Sequence, residues 1–200
     1  MNFLAHAHLS PPDKPIVLIG NTLGDFINPK KHLSLHSELL LGIYLHRAID
    51  SYTDTHAYVR QARSYLFARS RHYSRVLVDI FFDHFLAKQF KNYSLISLHN
   101  FSENVYSHFY NYKNKLPKQT YGVGQAMQAG NWLEKYQTID GINTTLNNMA
   151  NRLGGKAQVL RGGAQDLADF YLPLEESFKN FYPQVQQYAQ LWLQKNTQAK

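Results

Sequence analysis

The stretch RVLVDIFFDHFLAKQF at positions 75–90 constrains the fold more than any other part of the chain. It is apolar around most of a helical circumference, so the helix predicted over 73–91 must be covered by neighbours on nearly every side. A helix wrapped in this way belongs at the centre of a helical domain. Into that setting the sequence puts Asp79, Asp83 and His84. An unpaired carboxylate is costly to bury, so these acids must be hydrogen-bonded, paired or bound to a cation.

The rest of the chain is also read as helical. In HSELLLGIYLHRAIDSY, Leu39, Ile43, Leu45 and Ile49 recur at helical intervals and predict a helix over 37–55, with Ser37 as a cap. SLISLHNFSENVYSHFYNYKNKL predicts a third helix, stopped by Pro117. Weaker patterns predict helices over 120–135 and 139–153, with Thr138 and Asp140 as caps. After RGGAQ a long helix is expected from Asp166, kinked or interrupted at Pro173 and Pro183. KPIVLIGNTL fits a strand or a helix equally. There is no repeat, linker or low-complexity segment, so the expectation is one all-α domain over residues 1–200.

Composition narrows the function. The chain has no cysteine, which excludes disulfides and thiolate metal sites. No apolar run reaches the roughly 18 residues of a membrane span. MNFLAHAHLS has neither the basic start nor the apolar core of a signal peptide, and a cytoplasmic protein is expected. Lys and Arg number 21 against 14 Asp and Glu, a net charge of +7, which favours an acidic partner. RQARSYLFARSRHYSR carries Arg60, Arg63, Arg69, Arg71 and Arg75 with no acid between them. It reads as a docking surface or as a solvated helix face.

His46, Asp50 and Asp54 follow one another at four-residue spacing and share a helix face; Asp79 and Asp83 repeat that spacing. His6, His8 and Asp25 bring the same residue types from two further segments. Arg47 offers Asp50 or Asp54 a salt bridge, and Arg75 offers one to Asp79. The alternative is a divalent cation, which several gathered carboxylates would require. Mixed His and Asp donors suit Mn²⁺, Fe²⁺, Zn²⁺ or Mg²⁺.

MNFLAHAHLS, GNTLGDF, GIYLHRAIDSYTDTH, DIFFDHFLAKQF and NNMANR, in that order, resemble the acyl carrier protein phosphodiesterase family (ACP hydrolases) over nearly the whole length. The resemblance implies an all-α, HD-domain-like fold that holds metal through His and Asp. It implies hydrolysis of the phosphodiester between 4′-phosphopantetheine and a serine of holo-acyl carrier protein, with Mn²⁺ preferred. Asp25, His46, Asp50 and Asp83 are the expected ligands, with His6 and His84 as ligands or supports. Asp54 is expected to orient a ligand or take a proton from water, and Arg47 to meet the phosphate. Under this reading the Arg60–Arg75 stretch would dock the acidic carrier protein. An HD-like enzyme acting on a nucleotide or other small phosphoester is the alternative. A basic nucleic-acid-binding protein would leave the buried acids unexplained.

Overall fold

The computed structural model describes residues 1–28 and 35–197. Among these residues there is no strand, and the all-α expectation holds. The order along the chain is α1 (Phe3–His8), α2 (Pro15–Thr22), α3 (Ser37–Thr55), α4 (Ala57–Ser70), α5 (Ser74–Lys88) and α6 (Leu98–Asn111). Then come α7 (Lys118–Ala129), α8 (Trp132–Lys135), α9 (Ile139–Leu153), α10 (Gly163–Asp169) and α11 (Tyr171–Thr197).

Helix α5 is the core element its composition demands. Leu77, Val78, Ile80, Phe81, Phe82, Phe85, Leu86 and Ala87 on it are all buried. Phe82 meets Phe178 of α11 edge-on at 5.6 Å, and Phe85 meets Tyr171 at 5.1 Å, aromatic contacts of the favoured geometry.

Several boundaries differ from expectation for local reasons. The ambiguous KPIVLIGNTL forms α2, with Pro15 at its first position, where a missing N–H costs nothing. The ring of His36, not Ser37, caps α3, its Nδ1 accepting from the Glu38 N–H at 3.3 Å. The predicted 120–135 helix splits at Gly130 and Asn131, Asn131 taking the left-handed conformation at φ 44°. Thr138 caps α9, its hydroxyl accepting from the Gly141 N–H at 3.0 Å. The last helix breaks before Tyr171, and α11 then runs on through Pro183.

Helices α2 and α3 are brought into backbone contact by two glycines. A Cβ on Gly20 would collide with the Leu39 carbonyl, and one on Gly42 with that of Val17. Asn21 follows Gly20, and His46 lies one turn beyond Gly42. The close crossing therefore sets the Asn21 carbonyl 2.7 Å from His46 Nδ1.

Candidate metal centre and its adjoining cleft

His6 from α1 and His46 and Asp50 from α3 converge, each offering one ligand atom within 4.8 Å of the others. His6 Nε2 is 3.1 Å from Asp50 Oδ1, and His46 Nε2 is 3.3 Å from Asp50 Oδ2. Asp25, on the turn Gly24–Phe26 that follows α2, lies 3.2 Å from His46 Nε2 and is exposed. The two imidazoles stack with centroids 4.0 Å apart.

Asn21 decides the chemistry of this group. Its amide nitrogen donates to the His6 carbonyl at 2.7 Å and to Ser10 Oγ at 2.9 Å, so its Oδ1 must face His6 Nδ1, at 3.0 Å. An amide oxygen only accepts, so Nδ1 of His6 carries the proton. The Asn21 main-chain oxygen likewise fixes the proton on Nδ1 of His46. In the neutral rings both Nε2 atoms therefore present lone pairs to Asp50. Burial, reinforced by the neighbouring His46, lowers the pKa of His6 to about 4, and the Asp50 carboxylate only partly opposes this. His6 is thus neutral near pH 7, with an acceptor 3.1 Å from an acceptor. Burial also pulls His46 down, but the adjacent Asp25 carboxylate and the charge of Asp50 outweigh it and hold its pKa raised. Its buried Nε2 thus lies between two carboxylates, 3.2 Å from Asp25 Oδ1 and 3.3 Å from Asp50 Oδ2, with a well-formed hydrogen bond to neither. Although burial raises the pKa of Asp50, its contact with His6 and the nearby amino group of Met1 leave it lowered and ionised. A histidine whose Nδ1–H is anchored on a carbonyl and whose Nε2 faces carboxylates is the usual arrangement of a metal ligand. The donor set fits a divalent cation.

The other expected site residues are placed elsewhere. Asp83 lies outside this group and is fully buried, its oxygens accepting from the Leu4 and Ala5 N–H groups at 2.8 and 3.1 Å. His84 donates from Nδ1 to the Tyr136 carbonyl at 2.7 Å, and its Nε2 lies 3.3 Å from the Tyr171 hydroxyl. Asp54 pairs with Arg75, not Arg47, and Asp79 takes the Met1 amino group at 2.9 Å, not Arg75. Arg47 is exposed and in no ion pair among the described residues. Arg69 is held by Asp166 at 2.9 Å and by Asp169, and Arg60 donates to the Thr55 carbonyl. Within the basic stretch, then, Arg69 and Arg75 answer acids of the same molecule. His8 is enclosed, with Tyr182 hydroxyl 2.8 Å from Nδ1 and the Tyr93 carbonyl 3.1 Å from Nε2.

Sequence reasoning passed over Asn21, the organising residue of the group. Its signal was a carboxamide at the end of the apolar run PIVLIGNT, where a buried polar side chain needs partners. It also missed a cleft of about 360 Å³ that begins at Asp25 and is bordered by Phe3, Phe26, Trp132, Lys135 and Arg152, among others.

Comparison with known proteins adds to this geometry. A family model described as acyl carrier protein phosphodiesterase matches residues 1–185. A Klebsiella pneumoniae (strain 342) protein named acyl carrier protein phosphodiesterase is 34% identical over 194 residues, covering 95% of this chain and 98% of its own. The Yersinia pestis protein of the same name is 33% identical over 191 residues, with the same coverage of 95% and 98%. One from Salmonella agona (strain SL483) is 34% identical over 188 residues, covering 92% and 95%. No solved structure matches. No helix among the described residues is long and apolar enough to cross a membrane.

Proposed function

The chain belongs to the acyl carrier protein phosphodiesterase family, and on that premise we propose that it is a metal-dependent hydrolase of holo-acyl carrier protein. The bond cleaved is the phosphodiester between 4′-phosphopantetheine and a carrier-protein serine, and the protein product is apo-carrier protein. The observation that supports the metal dependence is the convergence of His6 Nε2, His46 Nε2 and ionised Asp50, with both ring Nδ1–H groups anchored on Asn21 oxygens.

His6, His46 and Asp50 would hold the ion, with Asp25 joining from the solvent side. We assign Mn²⁺; Mg²⁺, Fe²⁺ and Zn²⁺ also accept a nitrogen and oxygen donor set without thiolate. When bound, such an ion neutralises phosphate oxygens and lowers the pKa of its water. The remaining chemistry belongs to the chain. Asn21 holds both rings in one tautomer and orientation through its two oxygens. Asp25, kept ionised chiefly by the adjacent His46 ring, is the exposed carboxylate able to take a proton from attacking water. Asp54 is engaged by Arg75 and supports α3 from the next turn. Arg47, in no ion pair among the described residues, offers a guanidinium fork to phosphate oxygens. Arg60, Arg63 and Arg71 are free of ion pairs among the described residues, and we assign them to docking the acidic carrier protein.

The test is incubation with holo-acyl carrier protein and Mn²⁺, read by intact-mass spectrometry. Loss of the phosphopantetheine mass, abolished by chelation and restored by Mn²⁺, is expected. Full activity after rigorous metal removal overturns the metal dependence. Faster turnover of a nucleotide phosphodiester than of holo-carrier protein moves the substrate to the small-phosphoester alternative.

A further inference from the structure

Asp25 belongs to two places at once. Its Oδ1 is 3.2 Å from His46 Nε2, and the same residue lines the 360 Å³ cleft. Whatever occupies the cleft therefore lies against a residue that touches the His and Asp group. We propose that the cleft is the seat of the pantetheine arm, with the arm's phosphate end at Asp25, Lys135 and Arg152. This rests on the hydrolase reading above and extends it to the residues that recognise the prosthetic group.

The lining matches such an arm part by part. Its volume is near the lower end of the roughly 300–1,000 Å³ of small-molecule sites, so it admits a flexible arm and excludes a folded protein. Phe3 contacts Phe26 at 6.1 Å and Trp132 at 5.7 Å, so the three rings make one continuous apolar wall. Rings already packed on one another leave no slot between them for a flat base, whereas a wall suits the branched aliphatic part of pantetheine. Thr144, Thr145 and Asn148 of α9 supply neutral donors and acceptors for its amides. Lys135 and Arg152 are exposed, and neither is in an ion pair among the described residues. They are the cations available at this cleft for a phosphate whose approach the Asp25 carboxylate would otherwise oppose.

The chain has two tryptophans, so Trp192→Phe leaves Trp132 as the only indole fluorophore. In that background, with Mn²⁺ present, 4′-phosphopantetheine should change Trp132 emission saturably. Affinity should fall at least tenfold for pantetheine without phosphate, and equally in the double variant Lys135→Gln, Arg152→Gln. These are surface substitutions, and an unchanged thermal melt confirms that the variant is folded. No saturable response, or equal affinity across ligands and variants, overturns the assignment. Turnover of holo-carrier protein is read separately. If the parent releases no phosphopantetheine while Trp132 still reports phosphate-dependent binding, the hydrolase reading fails and the cleft stands. If the parent is active and the double variant keeps its kcat/KM, the cleft assignment fails and the hydrolase reading stands.

Discussion

Asp50 and Asp83 are both aspartates on largely apolar helices, each within one turn of a histidine, yet they are answered by opposite kinds of neighbour. Asp83 meets donors: the amides of Leu4 and Ala5 in the first turn of α1 point at its two oxygens. Those are N–H groups that a helix start always leaves without an internal partner, and Asn2 does not cap them with its side chain. Asp50 instead meets the Nε2 atoms of two histidines whose Nδ1–H groups are anchored on Asn21, and the Met1 amino group lies 3.6 Å from its Oδ1. A buried carboxylate met by two amide donors needs no cation, whereas a half-buried one converging with two ring nitrogens completes a donor set for one. The two regions are also joined, because the helix that Asp83 anchors at Leu4 and Ala5 delivers the next residue, His6, to Asp50.

The sharpest way to break this contrast is to remove each carboxylate in turn and ask for the metal. Asp50→Ala should lower turnover of holo-carrier protein by more than about 100-fold, since even residues that only support a metal ligand typically cost 10- to 100-fold. It should also abolish the rise in melting temperature that Mn²⁺ gives the parent, because a ligand that binds only the folded state stabilises it. Asp50→Ala melting at the same Mn²⁺-raised temperature as the parent would remove Asp50 from the metal centre.

Asp83→Ala should act on stability. It orphans two buried N–H groups, at about 1–3 kcal/mol each, so a loss on the order of 2–6 kcal/mol is expected in chemical denaturation. The folded variant should keep its Mn²⁺-dependent rise in melting temperature. Loss of that rise in a folded Asp83→Ala protein would make Asp83 a ligand after all and erase the distinction between the two aspartates.

How much of this could be read from the sequence follows from the range over which each interaction acts. The helices were legible because apolar periodicity is local, and α2 was ambiguous because a run apolar on every side has no period to show. His46 and Asp50 were legible as neighbours because four-residue spacing guarantees a shared face. The same rule grouped Asp54 with them, but it fixes a face and not a partner. Asp54 turns to Arg75 on another helix, 21 residues away. Asp83 looked equivalent to Asp50 because its donors lie 79 and 78 residues back in the chain, in a six-residue helix. Nothing in DIFFDHFL announces them. Asn21 was hidden for a related reason: its role depends on the approach of α2 to α3, which two separate glycines permit only together.

The smallest effect expected is a difference in pH dependence, and it probes what burial does to Asp83. Burial raises its pKa to about 7 against the opposing pull of the Leu4 and Ala5 amides, whereas in the unfolded chain it titrates near the usual 3.9 or so. Between about pH 4 and 7 the folded protein thus keeps a proton that the unfolded chain has released. Stability from this group must then fall as pH rises through that window, by at most about 1.4 kcal/mol per pH unit. Asp83→Asn removes the titration and still offers one oxygen to the helix amides. Other groups titrate in the same window, His6 and His46 among them, but they are present in both proteins and cancel in the difference. Urea denaturation of parent and Asp83→Asn across pH 4–7, with chelator present to exclude metal linkage, should show the parent losing stability relative to the variant as pH increases. Parallel curves would mean that Asp83 stays ionised throughout, its charge fully met by the two amides. A relative gain by the parent would reverse the sign and place a cation beside Asp83, as at Asp50.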